Sequence, residues 1–164
     1  MAYVIQDNSL GWTPIASVDT TQRHPLGTIV KASDPTYGSG EFIYVKGVTS
    51  GAQYAWATYN LDDGSTTLLA ANAIGPVGIM QAALIANTFG WLQISGKAIG
   101  KALASYADNA AVYATSTAGS VDDAVVDGDM VHLAKGASAV DTPSTGLAEF
   151  EISRPYCDDI TTND

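Results

Sequence analysis

Nucleophilic catalysis requires a base held against the nucleophile and a third group that orients the base, and histidine is the usual base. This chain offers two histidines, His24 and His132, and one cysteine, Cys157. Neither histidine lies in a nucleophile elbow or comparable motif, and Cys157 sits in no signature of its own. His24, within Arg23-His24-Pro25, reads as an arm contact, and His132, alternating with Val131 and Leu133, reads as one face of a strand. Asp122, Asp123, Asp127 and Asp129 form the best candidate metal site, because hard cations take several carboxylate oxygens on a flexible loop. Their spacing matches no EF-hand, so they read as solvated hairpin acids with Asp127-Gly128 as a turn. A glycosidase pair would need two carboxylates oriented across a cleft. Gly38-Ser39-Gly40 lacks the lysine and following helix of a phosphate-binding loop. The sequence assigns no catalytic residue, no metal and no cofactor.

Six aromatic residues, Tyr37, Tyr44, Tyr54, Trp56, Tyr59 and Trp91, could form a sugar-stacking platform on a sheet. They read instead as core plus subunit interface, since cross-strand aromatic pairs are ordinary sheet stabilisers.

Composition points to contact. Charged residues make up 15% of the chain and hydrophobic ones 46%, against roughly 25% charged in an average globular protein. A monomer of this size exposes roughly 7,700 Å², and self-association or docking is the simplest cover for so weakly charged a surface. Seventeen acidic against seven basic residues give a formal charge of −10, which argues against binding a phosphate backbone. The acidity reads as colloidal repulsion in salty surroundings rather than recognition of a cationic ligand. A lone thiol suits a reducing cytoplasm, an intermolecular disulfide being the minor alternative. Gln6, Asp7 and Asn8 break any apolar signal region at the start. The longest apolar stretch, residues 70–86, is interrupted by Asn72, Gly75, Pro76, Gly78 and Gln81 and cannot span a bilayer.

The elements that must position these residues are short strands separated by turn signals. Residues 1–27 show no sustained period and carry isolated apolar anchors at Val4, Ile5, Leu10, Trp12, Ile15 and Val18, the pattern of an extended arm. Full burial of such side chains stabilises by about 1.5–3 kcal/mol each, and the arm is expected to dock by Trp12 and Ile15 while remaining removable without unfolding the domain. From residue 28 to 154 strands are expected at 27–32, 41–46, 54–59, 66–69, before Pro76, at 90–95, 97–103, 111–115, 129–134 and 147–152. Residues 33–40 are expected as a loop, 41–46 and 54–59 as a hairpin, and Asp62-Asp63-Gly64 as a tight turn. Residues 81–88 fit strand or helix. About nine or ten strands of this length suit one compact β-sandwich or barrel, jelly-roll-like, with an acidic, solvated tail at 155–164.

His24-Pro-Leu-Gly-Thr-Ile-Val30 and Asp34-Pro-Thr-Tyr-Gly-Ser-Gly-Glu-Phe-Ile-Tyr-Val-Lys-Gly47 resemble a family of tailed-bacteriophage virion structural proteins. The resemblance continues at Ala73-Ile-Gly-Pro-Val77, Gly90-Trp-Leu-Gln-Ile-Ser-Gly-Lys-Ala98 and Ala110-Ala-Val-Tyr-Ala-Thr-Ser-Thr-Ala-Gly-Ser-Val-Asp-Asp123. It is closest to head decoration, or cement, proteins. It implies a compact β fold, a homotrimer clamping major capsid protein subunits on the outer surface of the virion, synthesis in the host cytoplasm, and no catalytic residues. Nucleic acid and membrane are not expected partners. On this reading the shell or sister subunits would be met by Trp12, Ile15, His24 and Leu26 of the arm and by Trp56 and Tyr59. The competing reading is a receptor- or glycan-binding module of a head fibre or tail.

Overall fold

A computed structural model describes residues 3–5 and 11–161. Gln6, Asp7, Asn8, the anchor Leu10 and the tail residue Asp164 lie outside the described residues. The fold is all-β, with eleven strands among the described residues: β1 Val4–Ile5, β2 Ile29–Asp34, β3 Gly38–Lys46, β4 Trp56–Tyr59, β5 Thr66–Leu68 and β6 Gly75–Met80, followed by β7 Phe89–Lys101, β8 Ala111–Ala114, β9 Val121–Asp122, β10 Met130–Gly136 and β11 Leu147–Cys157. They form one antiparallel sheet in the order β1-β2-β3-β7-β6-β11-β10-β8-β9, with β4 on β6 and β5 on β4. The sheet folds over on itself and does not close, so the barrel alternative falls away. Its accessible surface is 7708 Å².

Local chemistry explains where the strands start and stop. Residues 33–40 are expected as a loop, yet only residues 35–37 leave the sheet: Asp34 Oδ1 accepts the N–H groups of Thr36 at 2.7 Å and Tyr37 at 3.0 Å, closing the turn within the Asp-Pro step. The runs 90–95 and 97–103 form one strand, β7, bent at Gly96. Gly96 has φ +99°, and a Cβ there would stand 2.5 Å from the Ser39 carbonyl oxygen, so only glycine fits without a shift. Pro76 does not end a strand; it lies near the start of β6, opposite Tyr156 of β11, a position that tolerates a missing N–H. The Asp-Gly turn does join β4 to β5.

The expected hairpin of 41–46 with 54–59 is not formed. β3 pairs with β2 and β7, whereas β4 pairs with β5 and β6. The intervening chain is held against residues 84–88 instead: Gly47 N–H donates to the Thr88 carbonyl at 2.7 Å and Val48 N–H to that of Leu84 at 2.9 Å. A Cβ at Gly51 would collide with the Leu84 carbonyl. This close approach carries the chain to the other layer before β4 begins.

Two buried clusters fill the interior, one around Trp56, Val77, Tyr106 and Phe150, the other around Ile43, Met80, Leu84 and Leu92. A third lies on the far side of β2, β3 and β7, where Phe42, Tyr44 and Trp91 are covered by the arm. Leu92 and Ile94 point to one side of β7 and Trp91 to the other, as alternation requires. Ile15 is 2% exposed among those aromatics. Tyr44 Oη–H donates to buried Asp19 Oδ2 at 2.6 Å, and Asp19 bridges Phe89. Trp91 Nε1–H donates to Thr13 Oγ1 at 3.3 Å. The arm thus covers a core, so its removal is expected to expose buried aromatics. Ile15→Ala should lower stability by about 2–5 kcal/mol, and removal of residues 1–27 should abolish the cooperative transition; both are read from urea unfolding. A truncated chain that unfolds at the wild-type midpoint would contradict this packing.

Candidate functional site

The sequence-derived contact residues divide: Trp12, Ile15, His24 and Leu26 gather in the arm over the third cluster, whereas Trp56 and Tyr59 lie apart from them. Trp12 and His24 are half-buried; the His24 ring lies tilted against Trp12 at 5.0 Å and Trp91 at 5.5 Å and edge-on to Tyr44 at 4.9 Å. Thr13 N–H donates to His24 Nε2 at 3.2 Å, fixing that nitrogen as an acceptor within the arm. Leu26 packs over Gly64. Trp56 is 0% exposed, edge-on to Phe150 at 4.9 Å, and has no surface to give a partner. Tyr59 stands at an open cleft, of ≈ 420 Å³, shared with Leu61, Ile74 and Pro76. Burial pushes its hydroxyl upward, against a smaller opposing effect of Arg154.

The aspartates do not make a ligand set. Asp123 Oδ2 accepts the Ala107 N–H at 2.9 Å, Asp122 Oδ1 accepts the Asp123 N–H at 2.9 Å, and Asp129 Oδ1 accepts the Asn72 N–H at 2.5 Å. Among the described residues no three carboxylate, imidazole or thiol groups converge on one point. Asp129 is buried rather than solvated. Its bond to Asn72 ties the loop carrying Ile74 to the start of β10.

A surface does assemble, and two irregularities create it. Along β11, Ala148, Phe150 and Ile152 point inward; Arg154 takes φ +52°, and the alternation resumes one residue out of step, with Pro155 and Cys157 inward and Tyr156 outward. In β10, Leu133 takes φ +60° where the register shifts between His132 and Ala134. Bulges re-aim side chains in this way. His132 and Tyr156 consequently face each other on the outer side, stacked with centroids 4.8 Å apart and planes at 19°. Asp158 Oδ1 lies 3.4 Å from His132 Nε2.

The register extends this pair into a row. Tyr156 opposes Pro76, which shares the first cleft with Tyr59. His132 and Met130 share a second cleft, of ≈ 230 Å³, with Tyr113, Val125 and Ile160. Leu61, Ile74, Val125 and Ile160 around the row are 66%, 70%, 80% and 64% exposed. The outer face of β4, β6, β11, β10 and β8 therefore presents exposed Tyr156 and the half-buried Tyr59, Tyr113 and His132, bordered by exposed aliphatic groups of the adjoining loops. Monomeric proteins rarely leave so many neighbouring apolar side chains in water. No family model, curated protein or solved structure matches this chain. Sequence reasoning reached only Tyr59 and His132 of this row. It placed Tyr156 in the solvated tail, because Pro155 reads as the end of a strand.

Cys157 is buried, and burial, with smaller contributions from Asp129 and Asp158, pushes its thiol up to about 12 from 9.0. Burial likewise raises Tyr3 and Tyr44 from 10.0 to about 12. In each case the fold favours the protonated form, so the stability it contributes is present below the ordinary value and is lost as pH rises through the folded one. The urea midpoint should fall as pH rises from about 9 toward 12, more gently in Tyr44→Phe. At neutral pH Cys157 should react with a disulfide reagent only as fast as the chain opens. Immediate stoichiometric labelling of the folded protein would contradict its burial.

Proposed function

We propose that this chain is a structural virion protein that decorates and stabilises a phage capsid by binding the outer surface of major capsid protein subunits, as a homotrimer. The uncovered aromatic and aliphatic face carries this reading. It sits on short strands of a rigid sheet, and such a surface is built for contact with another macromolecule. The sequence resemblance supplies the virion setting. Trimeric symmetry repeats each contact, and such multivalency can raise avidity by roughly 10² to 10⁴ without strong individual sites. The rings of Tyr59 and Tyr156 on the same face also suit stacking on a sugar, which is the geometry a glycan-binding module of a head fibre or tail would use.

The test is to mix the purified protein with heads stripped of it, sediment them, and count bound copies per capsid subunit alongside the solution mass. Saturable binding in a fixed ratio by a trimer, with heads that survive more heat or lower salt, is the expected result. Absence of binding, together with retention on a glycan surface, would favour the fibre or tail module.

A further inference from the structure

We infer that the face running from Tyr59 through Tyr156 to Tyr113 docks a protein surface with an apolar centre and a rim of lysine and arginine. The inference deepens the decoration reading by naming the surface used and the chemistry of what it meets.

The apolar half of the argument is the uncovered row described above. The other half is the distribution of charge. Segments 55–76, 111–132 and 155–161, which build the row and its borders, contain eight of the seventeen acidic residues and none of the seven lysines and arginines. Asp62 and Asp63 follow Leu61 in the β4–β5 turn. Asp127 and Asp158 line the second cleft, and Asp122 opposes Tyr113 across β8 and β9. Elsewhere on the sheet opposite charges alternate. Glu41 opposes Lys31 and Glu151 stands between Lys97 and Lys135. Lys97 Nζ lies 2.7 Å from Glu149, and Arg154 Nε, at the edge of the face, lies 3.2 Å from Glu41. Carboxylates therefore outnumber lysines and arginines around the apolar row, where Lys46 acts on Asp63, Arg154 on Tyr59, and His132 stands beside Asp158.

Charge of one sign bordering an apolar surface selects the sign of its partner. A second copy docking through the same face would bring two carboxylate rims together, and an anionic bilayer or a nucleic acid meets the same repulsion. A basic protein surface gains on both counts: it covers the row and neutralises the rim. Exposed carboxylates attract through solvent, so added salt weakens the attraction.

The experiment measures binding of the full chain to an immobilised short peptide of alternating leucine and lysine, beside leucine–glutamate and serine–lysine peptides. The leucine–lysine peptide should bind, the other two should not, and added salt should weaken binding. Tyr156→Ser, and separately Asp127→Asn with Asp158→Asn, should each weaken it roughly tenfold or more. Asp141→Asn, in the far loop between β10 and β11, should leave it unchanged. Val125→Ser, outside the strands, replaces Tyr156→Ser if that variant melts early. Equal binding of the serine–lysine peptide, equal losses in Asp141→Asn, or a wild-type dimer that Tyr156→Ser dissociates would overturn the inference. Stripped heads separate it from the decoration reading. Heads bound equally by wild type and face variants remove this surface and leave decoration standing, whereas peptide binding without head binding does the reverse.

Discussion

Strand β7 has to serve two ladders at once, and the bend at Gly96 is what allows it. Its first half, up to Ile94, pairs with β3 and β6; its second half, from Ser95, pairs with β11 along seven successive residues from Lys101 to Ser95. A straight strand would keep all its partners in one plane. The positive φ of Gly96, and the register shift between Glu41 and Phe42 opposite it, turn the strand so that the sheet folds over its own interior. Trp56, Val77 and Phe150 are buried because the layers meet there. The same turn brings β6 alongside the end of β11, which is where Tyr156 comes to oppose Pro76.

Folding the sheet over one face leaves the other side of β2, β3 and β7 needing its own cover, and the arm supplies it with matched polar as well as apolar groups. Asp19 receives the Tyr44 hydroxyl, Thr13 receives the Trp91 indole, and Tyr3 Oη–H donates to the Lys97 carbonyl at 2.8 Å. A buried tyrosine or tryptophan without such a partner is costly. These side chains fix where the arm lies, and they commit Trp12, Ile15 and His24 to the chain's own stability rather than to a partner.

Among the described residues, the outer side of β4, β6, β11, β10 and β8 has no comparable cover. Its shape depends on matched irregularities in β10 and β11: without the out-of-step residues at Leu133 and Arg154, strict alternation would turn both Tyr156 and His132 inward, in phase with Ile152 and Ala134. Loops carry most of the aspartates here and also Leu61, Ile74, Val125 and Ile160, while the strands supply the rings. Low overall charge and strong local charge are therefore compatible in one chain.

The sequence by itself determined what depends on near neighbours. Alternation marked the strand cores at 41–46, 90–95, 111–115 and 147–152, the Asp-Gly step marked the β4–β5 turn, and the density of short strands marked an all-β unit. Strand ends were less legible where a side chain closes its own turn, as at Asp34, or where a bend lets a strand run on, as at Gly96 and Arg154. Partner choice was not legible at all. Residues 41–46 and 54–59 are close in sequence and apart in the sheet, because the approach of the Gly47 and Gly51 backbone to Leu84 outweighs the short loop. Alternation puts Trp56 and Tyr59, three residues apart in one strand, on opposite faces, but which of them is fully buried was not legible. Which rings reach solvent follows from register and from the side of the sheet that folds inward, and only contacts between residues distant in sequence decide that.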